Sequence, residues 1–439
     1  MLQVISKGLK MKTLIPLLFL SLTLWAKPIL QESLFVFDEE RTHLELFQSI
    51  PEMTIDLVSE KGYELYGPYG TSIWLDDLKV DYVSMKTRYG YYDEYPTILD
   101  NERKLQELAE RFPNILKLTS IGQSVEGREL WVMKLSDNVD IDETEPEFKY
   151  IANMHGDEIT GREMMMMLIE KLATSYEEGD ERITQLIDNT EIYIMPTLNP
   201  DGSHHQRRSN SNYADLNRDF PDFIYDPENS HAGREKETIA MMDFQASRKF
   251  ALSANLHDGA VVVNYPWDTT LERFPFDSLV TDLSKEYASS VPSMYNSYSF
   301  EGGITNGADW YIIHGGMQDW SYYWHNDMQI TLEISNTKWP SYSKTVSFFD
   351  EHLPSLMTYM ERTHQGAGFK FTEQAITGTV KIYQYKSYLG EYAFEDSEFY
   401  KVLEAGEYRF KVTTEEGIVN EFTVIVDSTI KPNGNYIYL

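Results

Sequence analysis

Residues 148–176 read FKYIANMHGDEITGREMMMMLIEKLATSY. Phe148–Met154 is a mostly apolar run of strand length. From Arg162 to Tyr176 the spacing predicts a helix, with Met165, Leu168, Ile169 and Leu172 on one side. The methionines of that run read as core filler. A buried strand that passes through a polar turn into such a helix belongs to an α/β sheet. Leu130–Leu135, Glu191–Met195 and Ala251–Leu256 are further expected strands. Asn101–Phe112 is an expected helix on which Leu105, Leu108 and Phe112 share a face.

The turn inside that first stretch carries chemistry. His155 ends the strand and Glu158 follows three residues later. Residues beyond a strand end can converge on one ion. Imidazole and carboxylate are good zinc donors, and a close pair chelates at small entropic cost. A hydrolytic zinc needs a third protein ligand and an open position. His257 is the candidate, because it ends the strand Ala251–Leu256. Taken singly, H-x-x-E is a common coincidence and a strand-end histidine is often a satisfied core residue, so the surrounding text decides. The chain has no cysteine, which excludes disulfides and thiolate metal sites.

Composition bounds the rest. The 439 residues carry 38 Lys+Arg against 70 Asp+Glu, a formal net charge of −32 that repels nucleic acid and anionic membrane surfaces. Thirty Tyr and 21 Phe argue against disorder. Lys7, Lys10 and Lys12 precede an apolar run from Leu14 to Trp25, followed by Ala26, which reads as a signal peptide over 1–26. The run is short for a membrane span, so no stable membrane insertion is expected after its removal, and the chain is expected to be secreted or periplasmic. Residues 27–90 are acidic and Tyr-rich and suggest a small strand-rich region of unknown role. Beyond about Gly368 helical periodicity stops. Thr377–Tyr383, Ala393–Phe394, Glu398–Leu403, Tyr408–Thr413 and Glu421–Val426 read as short strands, punctuated by Gly406 and Gly417, in a small all-β module.

Several segments, in order, are NMHGDEITGRE (153–163), NPDG (199–202), DLNRDFPD (215–222), SANLHDGAVVVNYPWD (253–268), GITNGADWY (303–311), GGMQD (315–319) and TLEIS (331–335). Together they resemble the funnelin family of zinc metallocarboxypeptidases, in particular its carboxypeptidase N/E subgroup, which includes carboxypeptidases D, E, M and N. The likeness runs from about 93 to 370, and the trailing strands resemble the subgroup's transthyretin-like domain. The implied architecture is a mixed-sheet α/β catalytic domain over 91–370 followed by a transthyretin-like sandwich over 371–439.

The resemblance implies one Zn2+ per chain held by His155, Glu158 and His257. Glu333 matches the catalytic glutamate that activates water at the metal. Alternation puts Ile330, Leu332 and Ile334 on one face of its strand and Thr331 and Glu333 on the other. Arg208, nine residues before Asn217, matches the arginine that stabilises the oxyanion, and neighbouring Arg207 is the competitor. Asn217 and Arg218 match the pair that grips a substrate's terminal carboxylate, which restricts such an enzyme to peptide or protein C-termini. Tyr311 matches a tyrosine that closes over substrate. Asp268 and Gln318 match the side-chain pocket of members that remove Arg or Lys.

The sequence departs from the family at three places. Asp157 stands where asparagine is common. His204-His205 follow NPDG, as loop residues or a second metal contact. Asp327 occupies the place of a common cysteine, so local stability must come from elsewhere. Two rival functions fit parts of the pattern: a periplasmic peptidase trimming cell-wall stem peptides, and an inactive peptide-binding homologue.

Overall fold

The computed structural model describes residues 31–85, 95–427 and 435–439; the expected signal peptide lies outside them. No helix among the described residues is long and apolar enough to cross a membrane.

The N-terminal strands β1 (Glu32–Phe37), β2 (Thr54–Ser59), β3 (Gly62–Gly67) and β4 (Tyr82–Ser84) form an antiparallel sheet in the order β2-β3-β1-β4. Two short helices, Leu44–Gln48 and Thr71–Leu78, complete it, and Leu34, Val36, Phe47, Tyr63, Leu65 and Leu75 form its own apolar cluster. The strand-rich reading of this region holds; the helices add to it.

The central sheet contains β5 (Leu116–Gln123), β6 (Glu129–Leu135), β7 (Glu147–Ala152), β8 (Glu191–Met195), β9 (Phe250–His257), β10 (Val262–Tyr265), β11 (Ile304–Asn306) and β12 (Met328–Glu333). Its order is β11-β10-β12-β9-β7-β8-β6-β5. The strands β12, β9, β7 and β8 run parallel, while β5, β6 and β10 have antiparallel neighbours, so the sheet is mixed. Period-2 alternation serves two cores. Phe148, Tyr150 and Ala152 join the cluster containing Met165, Leu168, Ile169 and Leu172 from the helix Thr160–Glu177. Ile151 points into the opposite cluster, with Met195 and Met241. The methionine run is therefore packing. The strand expected to reach Met154 stops at Ala152, because Asn153 turns to φ 53°.

Asp327 forms a buried ion pair with Lys149, whose Nζ also donates to Ser253 Oγ at 3.3 Å and lies 4.8 Å over the Phe250 ring. Both side chains are fully buried. Removing one partner strands the other charge in low dielectric. Asp327→Ala is expected to destabilise the fold by about 3–5 kcal/mol, read from denaturant unfolding. A loss under about 1 kcal/mol would show that this pair is not the source of local stability at Asp327.

The C-terminal strands are β13 (Gly366–Lys370), β14 (Gly378–Gln384), β15 (Ser387–Phe394), β16 (Glu398–Val402), β17 (Gly406–Thr414), β18 (Val419–Val426) and β19 (Tyr436–Tyr438). They form two sheets, β16-β13-β19 and β15-β14-β17-β18, around Phe369, Phe394, Phe399, Phe410 and Phe422. Gly406, read as a turn residue, instead opens β17; Gly417 does turn, at φ 83°. This sandwich docks on the α/β part. Lys401 of β16 is buried with its ammonium 4.5 Å over Phe276, 4.7 Å over Tyr322 and 4.5 Å over Tyr392.

Candidate active site

Three parallel neighbours end together. His257 is the last residue of β9 and Glu333 the last of β12, and the two are register partners. His155 follows β7 by three residues. The chain passes from β7 to β8 on one side and then to β9 on the other, so the carboxyl ends of β7 and β9 border a topological switch point, where open α/β sheets bind ligands.

The turn after β7 is pinned from both sides. Asn153 Nδ2 donates to the carbonyls of His155 and Glu158, each at 2.9 Å. Asn199, which opens the NPDG turn, donates to the carbonyls of Met154 at 3.0 Å and Arg208 at 3.2 Å. Gly156 lies against that turn so closely that a Cβ would sit 2.0 Å from the Gly202 carbonyl carbon. No side chain fits there.

The result is a trio of buried donors. His155 Nδ1 lies 3.0 Å from Glu158 Oε1, and His257 Nδ1 lies 3.0 Å from His155 Nδ1 and 2.8 Å from Glu158 Oε2. Two imidazole nitrogens facing each other across that distance share at most one proton, so hydrogen bonding alone does not explain the convergence. Tetrahedral zinc places such donors roughly 3.3–3.6 Å apart, a small outward shift. Two histidines and one glutamate are also a known catalytic zinc set. The chain's own donors therefore fit the ion. His155 Nε2 lies 3.1 Å from Asp215 Oδ1, a carboxylate that orients the ring.

Arg208 reaches this trio. Its Nε donates to Asp215 Oδ2 at 3.0 Å, its Nη1 lies 3.4 Å from Glu158 Oε1, and its Nη2 has no hydrogen-bond partner among the described residues. Arg207 points away, donating to the Asn210 carbonyl and lying over the Tyr213 ring. Glu333 is buried, and its Oε2 also lacks a partner among the described residues. Burial, then the nearby Glu158 and Asp56 carboxylates, push Glu333 well above the usual carboxylate range. The same cleft is bordered by Asn217, Arg218, Asp268 and Tyr311. Asn217 Oδ1 accepts from the Met317 amide at 3.0 Å. Gln318 bridges Thr331 Oγ1 at 2.9 Å and Asp268 Oδ1 at 3.2 Å. All ten residues singled out from the sequence thus gather at one place. A larger groove of about 480 Å³ beside β5 and β6 holds none of them, and its cations Lys117, Lys134 and Arg248 are paired with carboxylates.

Residues 102–355 match the family model described as zinc carboxypeptidase. The chain belongs to the zinc carboxypeptidase family. It is 37% identical over 368 residues to human carboxypeptidase D, covering 76% of this chain and 26% of that protein, so it spans about a quarter of that relative's length. It is 38% identical over 345 residues to carboxypeptidase M of Mus musculus, covering 71% of this chain and 76% of that one. The crystal structure of carboxypeptidase A from Helicoverpa armigera shares the fold at 18% identity and a TM-score of 0.59, covering 76% of this chain and 97% of that chain.

This zinc carboxypeptidase chain also places groups at the cleft that motif spacing did not single out. Besides Asp215 they are Lys338, whose Nζ lies 3.1 Å from Glu158 Oε1, and Asp319, whose carboxylate accepts the amides of Asp268 and Thr269. The fourth is Asp56 of the N-terminal sheet. Asp157 sits beside Lys338, and burial pushes its carboxyl up to about 6. His204 and His205 are exposed, with His205 Nε2 2.8 Å from Glu126, and belong to no metal-capable group among the described residues.

Proposed function

We propose that this chain is a zinc-dependent exopeptidase that hydrolyses the C-terminal peptide bond and prefers Arg or Lys at that end. The observation that carries the reading is the gathering of one carboxylate, Glu333, and two guanidiniums, Arg208 and Arg218, around a three-donor metal trio in one cleft. His155, Glu158 and His257 would hold the ion. Bound zinc supplies Lewis-acid polarisation of a carbonyl and lowers the pKa of water.

The chain's residues do the rest. Asn217 and Arg218 grip the free carboxylate and set the register of the peptide, which limits attack to the last bond. Glu333 takes a proton from the attacking water as its oxygen bonds to the scissile carbon. It returns that proton to the nitrogen as the carbon–nitrogen bond breaks. Arg208 donates to the carbonyl oxygen as negative charge builds there. Asp268, buried and steadied by Asn264 and Gln318, offers a carboxylate to a cationic side chain. The same reading divides the chain into an N-terminal module over 27–90, a catalytic domain over 91–370 and a sandwich over 371–439, with β13, which ends the catalytic span, pairing into the sandwich. The apolar run from Leu14 to Trp25, followed by Ala26, favours export.

A panel of peptides differing in the last residue, assayed with zinc, with chelator and after zinc restoration, tests this reading. Turnover of an amidated peptide as fast as of the free acid would refute it. The pocket adds a pH signature. Burial pushes Asp268 up to about 6. Above that pH it is ionised and attracts the cation; below it the charge is lost. KM for an Arg-ending peptide should rise as pH falls through about 6, whereas KM for a Leu-ending peptide should not. Asp268→Asn should remove that difference.

A further inference from the structure

The side-chain pocket rests on one short loop. Asp268 lies just beyond the end of β10, and its carboxylate takes both of its side-chain bonds on Oδ1, from Asn264 at 3.1 Å and Gln318 at 3.2 Å. Bonds to one oxygen let a carboxylate pivot, so its aim depends on the main chain that carries it. That main chain is held by Asp319. The Asp268 amide donates to Asp319 Oδ1 at 3.0 Å and Oδ2 at 2.9 Å, and the Thr269 amide donates to Oδ2 at 2.9 Å. The Asp268 carbonyl in turn accepts from the Ile313 amide at 3.1 Å.

Gln318 and Asp319 are neighbours in the first turn of the helix Met317–His325. One reaches the pocket carboxylate, the other the backbone behind it. A helix dipole favours an acid in that turn, yet both Asp319 oxygens serve a separate loop. The loop has little slack. A Cβ at Gly307 would stand 1.8 Å from Asp268 Oδ1 and 2.8 Å from its Cγ, so a side chain there would displace the carboxylate. A binding group acts only when held within roughly 0.5 Å of its productive place. Asp319 is 5% exposed. Burial, then the charge on Asp268, push its carboxyl well above the usual carboxylate range, while the two amides pull it back. Two buried acids side by side destabilise each other, and a cationic side chain entering the pocket offsets that.

We propose that Asp319 is a positioning residue of the side-chain pocket, which favours a basic end group by fixing the main chain of Asp268. The inference rests on the carboxypeptidase reading above and adds a residue to its preference for Arg or Lys. Asp319 itself does not meet the substrate; its effect passes through Asp268.

The test uses the full-length, zinc-loaded chain with benzoyl-Gly-Arg and benzoyl-Gly-Leu. The readout is the ratio of their kcat/KM values in wild type, Asp268→Asn, Asp319→Asn and the double variant. Asparagine at 319 keeps one acceptor oxygen and turns an amide NH2 toward a backbone N–H. Asp319→Asn should lower the Arg-to-Leu ratio by about tenfold or more, through a higher KM for the Arg peptide. In the Asp268→Asn background the same substitution should change the ratio by less than about twofold, because the group it acts through is gone. A merely structural role lowers turnover of both peptides by one factor and leaves the ratio as in wild type, which overturns the proposal. An equal effect of Asp319→Asn with and without Asp268 also overturns it. Should Asp319→Asn fail to fold, Asp319→Glu, which keeps both acceptors but misplaces them by a methylene, is read in the same way. Failure of that variant to fold assigns Asp319 to the fold and not to the pocket. A wild type that prefers Arg and loses the preference in Asp268→Asn leaves the peptidase reading standing whatever Asp319 does. A wild type without that preference overturns the basic-end reading and this proposal together.

Discussion

Replacing Glu333 with glutamine is expected to lower kcat by about 10²–10⁴-fold while zinc and peptide still bind. Glutamine keeps the size and one hydrogen-bonding oxygen but cannot carry a proton between water and amine. The site is suited to isolating that effect. Glu333 ends β12 in register with His257, so the backbone fixes its distance from the metal trio. It is not itself among the three donors. Its Oε2 has no partner among the described residues, so the substitution breaks no ion pair there. Measuring kcat together with bound zinc by atomic absorption separates loss of the base from loss of the metal. Turnover within tenfold of wild type would remove Glu333 from the mechanism.

Loss of a metal donor should be more severe. His257→Ala leaves one imidazole and one carboxylate for the ion. The affinity cost should exceed the ~10–100-fold that follows removal of a supporting hydrogen bond. Turnover should vanish with the zinc, and excess zinc should not restore it. Asp215→Asn supplies the graded comparison. It keeps the shape beside His155 Nε2 but not the charge, so affinity should drop by about 10–100-fold and added zinc should recover activity. If His257→Ala retained stoichiometric zinc, the trio would not be the metal site.

Legibility in the sequence followed the range of the interactions. The strand–turn–helix at 148–176 was readable because alternation and helical spacing are local. His155 and Glu158 were readable for the same reason, being three residues apart on one turn. His257 was a candidate from its place at a strand end, and family likeness decided for all three. Arg208, Asp268 and Tyr311 lie on loops, Asn217 and Arg218 on a single 3₁₀ turn and Gln318 in the first turn of the helix Met317–His325; periodicity marks no site residue there, and only family likeness pointed to them. Asp215 and Lys338 carried no local signal of what they do. Asp215 meets His155 across 60 residues of chain, and Lys338 bonds Tyr66 across 272. Asp56 is a similar case, since its partners Arg208 and Tyr311 are 152 and 255 residues away. The helix Leu44–Gln48, at five residues, is too short to show a period.

One apolar cluster extends without a break from Leu105 in the α/β part to Val426 in the C-terminal sandwich, whereas the first four strands enclose a cluster of their own. Heating should therefore melt the sandwich and the central sheet in a single cooperative transition, with the N-terminal module free to come apart earlier at lower cost. A calorimetric trace with two unequal peaks, the smaller one first, is the thermal signature of that arrangement.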